Sequence, residues 1–163
     1  MKPTRLFRLA IPALVAACAQ ETPDARAAAQ FQPVADVQQL MTAVLEPAAE
    51  VYWDAVGWVI DTTGTHETVP HTGEEWEAVR NAAFVVAESG NLLMMDGRAQ
   101  SDEGWMALSG ALIAVGRRAI AAAEARDPAA VFDVGGQVYE ACTACHAAYA
   151  LETLRPSDAR RQD

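Results

Sequence analysis

Four stretches of this 163-residue chain repeat their apolar residues at intervals of three and four, and turn signals separate them, a pattern that predicts four amphipathic helices. In the first, 36–60, Val37, Leu40, Met41, Val44, Leu45, Ala48, Val51, Ala55, Val56 and Val59 form one stripe. Pro47 lies inside it; its missing N–H and its clash with the preceding turn predict a kink or a division near Leu45. The stretch 61–72, with Gly64, Pro70 and several threonines, reads as a connecting loop, and Thr72 with Glu75 forms a capping box for a second helix reaching about Met95. Its inward face is Trp76, Val79, Ala83, Val86, Ala87, Leu93 and Met94, and Gly90 with Asn91 is expected to loosen its last turn. Asp96-Gly97 makes a turn, and Ser101 or Asp102 caps a third helix that carries Trp105, Leu108, Leu112, Val115, Ala119 and Ile120 and ends near Arg126.

Asp127 followed by Pro128, an N-cap and then a proline at the first helical position, starts the fourth helix. Val131, Val134, Val138, Cys142, Cys145 and Tyr149 keep helical spacing along it, and it should end before Pro156. Gly135 and Gly136 interrupt the pattern, either because a flat cofactor or a neighbouring helix comes close there or as a tolerated weakness. Helices of roughly twenty to twenty-five residues with short connections give an all-α fold, an antiparallel up-down-up-down four-helix bundle with cofactor sites between facing helices.

Near the end of the fourth helix stand Cys142, Thr143, Ala144, Cys145 and His146, the C-x-x-C-H spacing by which c-type haem is attached. At 100° per residue the two cysteines and the histidine fall within about 100° of one another. One face can then supply two thiols to the vinyl groups of one porphyrin and an imidazole to its iron. Two other readings compete. A thioredoxin-like dithiol usually accompanies a βαβ pattern, and no strand run flanks Cys142. A structural zinc site needs four ligands and would have to recruit His66 and His71 from a distant loop.

Lys2, Arg5 and Arg8 precede an apolar stretch from Leu9 to Ala17, the grammar of an export signal over 1–18. Val15-Ala16-Ala17-Cys18 resembles a bacterial lipobox, in which Cys18 is lipidated and anchors a periplasmic protein; cleavage at Ala27-Ala28-Ala29 would instead release a soluble one. Either way only Cys142 and Cys145 remain, so no disulfide framework is available, and thioethers to haem would make both sulfurs inert in an oxidising compartment. Residues 19–34 read as a flexible tether, 35–155 as the helical domain and 156–163 as a tail. Without the three basic residues of the signal, nine Lys and Arg stand against 22 Asp and Glu, a formal charge of −13. Such a field disfavours nucleic acid as a partner and favours a basic redox protein, although solubility alone accounts for it too.

Taken together, four helices and an attachment sequence near the C-terminus, VYEACTACHAAYALE, resemble class II c-type cytochromes, the cytochrome c′ group and its low-spin relatives, over about 120 residues. The resemblance implies one covalent haem c held by Cys142 and Cys145, with His146 as the proximal iron ligand and the opposite haem face turned to helix one. Low-spin members take a sixth ligand from a methionine early in that helix, and Met41 matches the position; cytochromes c′ proper leave the iron five-coordinate under an apolar residue. A methionine on an apolar stripe is also ordinary core filling. Met94, Met95 and Met106 are weaker rivals at helix ends, and His66 and His71 sit in a polar loop. The chain departs from the group in having no base within 147–154 and no Lys or Arg between Arg26 and Arg80, which leaves Arg80, Arg98, or Gln38 and Gln39 to pair with a propionate, while an exposed propionate needs no protein partner.

Two functions follow from the resemblance. With Met41 and His146 on iron, the chain would transfer single electrons. With Met41 only a lid, it would be a five-coordinate module binding NO or CO. No second set of acid, base and nucleophile suggests an enzyme, and Trp53, Trp58, Trp76 and Trp105 read as core or interface aromatics. The apolar surplus of helices one and two accommodates a homodimer.

Overall fold

The structure, a computed structural model, describes residues 31–100 and 103–150, all within Phe31–Asp163, the larger of two units into which the chain divides. The expected signal 1–18 with Cys18, most of the tether, the caps Ser101 and Asp102, and the tail lie outside the described residues. What is described is mostly helical, with one small sheet.

The first helical stretch begins at α1, Val37–Leu40, where Asp36 and Gln39 form a reciprocal capping box. It passes through a π-helical segment, Met41–Leu45, into α2, Glu46–Trp53. Pro47, at the start of α2, has no N–H for the preceding turn, and before it the Glu46 N–H reaches back five residues to the Met41 carbonyl. The division expected near Leu45 is therefore present, and it takes the form of a widened turn.

The expected continuation of this helix to Ile60 is wrong. α2 ends at Trp53, and the chain forms a hairpin of β1, Gly57–Asp61, and β2, Gly64–Thr68, where the sequence read as helix and loop. Gly57 interrupts the helix, Val59, Ile60 and the threonines suit a strand, and Gly64 takes the turn at φ 137°. The Asp61 carboxylate accepts from the Thr63 N–H at 2.7 Å and the Thr63 hydroxyl at 2.6 Å, closing the tip. Hydrophobic spacing misled here because Val56 and Val59 continue the stripe of α2 by coincidence of register.

α3, Gly73–Leu93, starts at the expected Thr72–Glu75 capping box. α4, Glu103–Ala125, is long and apolar enough to cross a membrane, yet Trp105, Leu112, Val115 and Ala119 on its inner stripe are buried against the other helices. α5, Pro128–Tyr149, begins with the expected pair, Asp127 capping the Ala130 N–H at 3.1 Å and Pro128 in the first turn. Arg126, at φ 52°, makes the tight reversal between α4 and α5.

Gly90 does not loosen α3. It is buried where a Cβ would lie 2.7 Å from the Ser109 carbonyl oxygen, and a Cβ on Gly116 would lie 2.6 Å from the Ala87 Cα. These glycines let α3 and α4 approach backbone to backbone. The two pairs also show that the helices run antiparallel, since Gly90 meets Ser109 early in α4 and Ala87 meets Gly116 later in it. Leu40, Tyr52, Val86, Val115, Val131 and Val138, contributed by every helix, close the core to water.

Candidate functional site: the cysteine–histidine face of α5

Along α5 the inward stripe is Val131, Val134, Gly135 and Val138, all buried. One turn further the same stripe carries Ala141, Cys142, Cys145 and His146, and burial drops to intermediate at each. The helix continues; its covering does not. Cys142 and Cys145 are free thiols, and Cys145 is near enough to count in the electrostatics of Cys142. Burial pushes both thiols upward, and the neighbouring Cys145 raises Cys142 further. Both sit in the last turns of the helix, where the dipole disfavours a thiolate. This is the reverse of the lowered thiol at a helix start on which thioredoxin-like exchange depends, so the structure gives that reading no support.

The register between α2 and α5 locates Met41. The Trp53 indole Nε1 donates to the Gly135 carbonyl at 2.9 Å, the same ring meets Tyr139 edge-on at 6.2 Å, and beyond it Trp58 stacks on Phe132 at 4.9 Å. Positions rising along the first stretch meet positions falling along α5, so the two are antiparallel. Twelve residues back from Trp53 is Met41; twelve on from Gly135 is Ala147, each about 18 Å along its helix. By helical rise from that contact, Met41 falls toward the His146 end of α5; its side chain is partly buried and packed against the core.

Gly135 answers one question left by the sequence: a Cβ there would lie 3.3 Å from the Trp53 ring, so this glycine admits a neighbouring helix, whereas Gly136 faces open space. A second aromatic contact closes the end of the motif face. Trp105 is buried, donates through Nε1 to the Leu93 carbonyl at 2.8 Å, and meets Tyr149 edge-on at 5.0 Å. Helical spacing puts each ring on a stripe but does not join the two; Tyr149, three and four residues beyond His146 and Cys145, is the signal the sequence carries.

The remaining candidates separate cleanly. His66 lies in β2, its Nε2 2.7 Å from the Thr63 hydroxyl and 3.3 Å from Asp61, and His71 precedes α3; both belong to the hairpin side of the fold. Met106 is exposed, Met95 receives an Arg98 N–H at 3.5 Å, and Met94 lies by Gly110. Arg80 pairs with Glu77 at 3.2 Å and lines a cavity of about 230 Å³ with Gly73, Trp76 and Arg126, at the opposite end of α4 from Trp105, about 30 Å away. The Gln39 side chain is taken by the Asp36 N–H at 3.0 Å. A second cavity, about 510 Å³, lies between α2 and α3 around Pro47, Val51 and Val79, and no residue of the motif lines it. Among the described residues no three His, Cys, Asp or Glu side chains converge as a metal site, which leaves the zinc reading without a fourth or even a third partner set.

As a donor set, two neutral, adjacent, half-exposed thiols and an imidazole on one helical face fit covalent attachment of a single flat porphyrin. No protein-family model, curated protein or solved structure matches the chain.

Proposed function

We propose that this chain is an exported c-type cytochrome that transfers single electrons, an antiparallel four-helix bundle with one haem c between its first and last helices. The supporting observation is the loss of burial along α5 where Cys142, Cys145 and His146 begin, with Met41 partly buried on the antiparallel first helix. Bound haem would supply one-electron oxidation and reduction at iron. The chain's own residues do the rest. Cys142 and Cys145 fasten the ring as thioethers, His146 presents an imidazole from the same helix, and Met41 offers a soft sulfur from the facing one. Trp105, held by the Leu93 carbonyl, backs the end of the site through its edge-on contact with Tyr149.

In this reading the signal 1–18 delivers the chain to the periplasm, with Cys18 as a lipid anchor, and the acidic surface meets a basic redox protein. Visible spectra of the matured protein test it. Oxidised protein should show a sulfur-to-iron charge-transfer band, and reduced protein should not bind carbon monoxide. Met41→Leu should abolish the band and open the iron to carbon monoxide. High-spin iron that binds the gas in the parent would refute Met41 as ligand and leave the gas-binding function. A colourless product with the mass of bare polypeptide would refute both.

A further inference from the structure

Arg98 is the one arginine of the five described that is buried, at 7% exposure. Its Nε donates to the Ala35 carbonyl at 2.9 Å, and its Nη1 donates to the Leu92 carbonyl at 3.1 Å and the Met95 sulfur at 3.5 Å. These are dipoles, and a guanidinium withdrawn from water needs a countercharge. Among the described residues none is provided: the ion pairs are His66 with Asp61 and Arg80 with Glu77. Of the described acids near Arg98 or its partners, Asp36 is committed to capping the Gln39 N–H, and Asp96 and Glu103 are exposed; Asp102 lies outside the described residues. Nη2 has no acceptor among the described residues and is not sealed from solvent, so it is the nitrogen open to an incoming group.

The position of this cation matters as much as its burial. Leu92, which holds Nη1, is followed by Leu93, which holds the Trp105 indole, and that indole touches Tyr149 one turn beyond His146. Ala35, which holds Nε, leads directly into the helical stretch that carries Met41. Arg98 therefore lies at the end of the fold where the motif lies, a region with no other described arginine: Arg80 and Arg126 are at the far end, and Arg117 and Arg118 are about two-thirds of the way along α4 toward it, Arg118 tied to Gln137 at 3.0 Å.

We propose that Arg98 binds a propionate carboxylate of the haem, supplying the countercharge its own burial demands. This rests on the proposed function. Two of its three nitrogens are fixed by backbone carbonyls, so the planar fork is held in place before the carboxylate arrives.

The test uses the full chain matured in the periplasm, with Arg98→Gln and Arg98→Lys. Mass and colour come first: a parent without covalent haem defeats the proposed function itself, separately from this assignment. In haem-loaded protein the midpoint potential is then followed across pH, and the propionate bending vibration is read by resonance Raman. Losing the buried cation should raise the pH at which the potential becomes pH-dependent by about one unit, a tenfold change in propionate proton affinity, in Arg98→Gln. Arg98→Lys should retain most of the charge effect but shift the propionate vibration, because an ammonium cannot reproduce the fork. If Arg98→Gln does not fold, the Lys variant decides through its vibration. Superimposable pH profiles, or an unchanged vibration in Arg98→Lys, would overturn the assignment and leave Arg98 as a clamp on backbone carbonyls.

Discussion

Replacing Gly116 by alanine tests whether α3 and α4 meet backbone to backbone. Alanine in a helix interior gains up to about 1 kcal/mol over glycine, so on propensity alone the change stabilises. The added Cβ would lie 2.6, 2.7 and 2.8 Å from the Cα, Cβ and N of Ala87. Carbon atoms rest at about 3.5–4.0 Å, so the helices would have to part by about 1 Å, and Ala87 offers no flexible side chain that could swing away. Overpacking of this kind costs about 1–3 kcal/mol, which outweighs the propensity gain. The expected result is a net loss of about 1–2 kcal/mol, read as a lower urea midpoint and a melting temperature lower by about 4–8 °C. Gly136→Ala is the matched control: nothing lies within 4 Å of its Cβ, so the propensity term acts alone and stability should rise by up to about 1 kcal/mol. An alanine at 116 that leaves the protein as stable as the parent, or more so, would refute the close approach.

Tyr52 is buried with no partner for its hydroxyl among the described residues, and burial pushes its ionisation up to about 12. Because the folded value lies above that of the unfolded chain, the stability it contributes is complete below about pH 10 and declines by about 1.4 kcal/mol per unit as pH rises toward 12. Tyr52→Phe should flatten that alkaline decline and leave neutral-pH stability equal or slightly higher, whereas a large loss at pH 7 would show a hidden partner for the hydroxyl. Trp53→Phe removes the 2.9 Å bond to the Gly135 carbonyl and should cost about 1–2 kcal/mol in denaturant melts; no loss would mean the α2–α5 register is held elsewhere. Asp127→Ala removes the cap on the Ala130 N–H and should cost about 1 kcal/mol, with Asp127→Asn recovering most of it.

Much of this molecule could be read from local chemistry. The capping box at Thr72, the Asp127-Pro128 start of α5 and the helix break before Pro47 all depend on residues within four positions of one another, so sequence contains the whole interaction. The same holds for the spacing of Cys142, Cys145 and His146, which a helix turns into a face. The hairpin was missed because Val56 and Val59 continue a helical stripe, and nothing in that stripe reveals that Trp58 leaves it to stack on Phe132 of α5.

By itself, then, the order of residues determined where helices begin, which of their faces are apolar and which three side chains stand together near the end of the last one. Tertiary structure alone decided that Gly90 and Gly116 are points of helix contact, that Met41 packs against the core, that Trp105 meets Tyr149, and that Arg98 is buried with no carboxylate partner among the described residues. The physical reason is distance along the chain: caps and helical faces are made by neighbours a few residues apart, whereas burial and countercharge depend on side chains tens of residues away, brought together only when the helices pack.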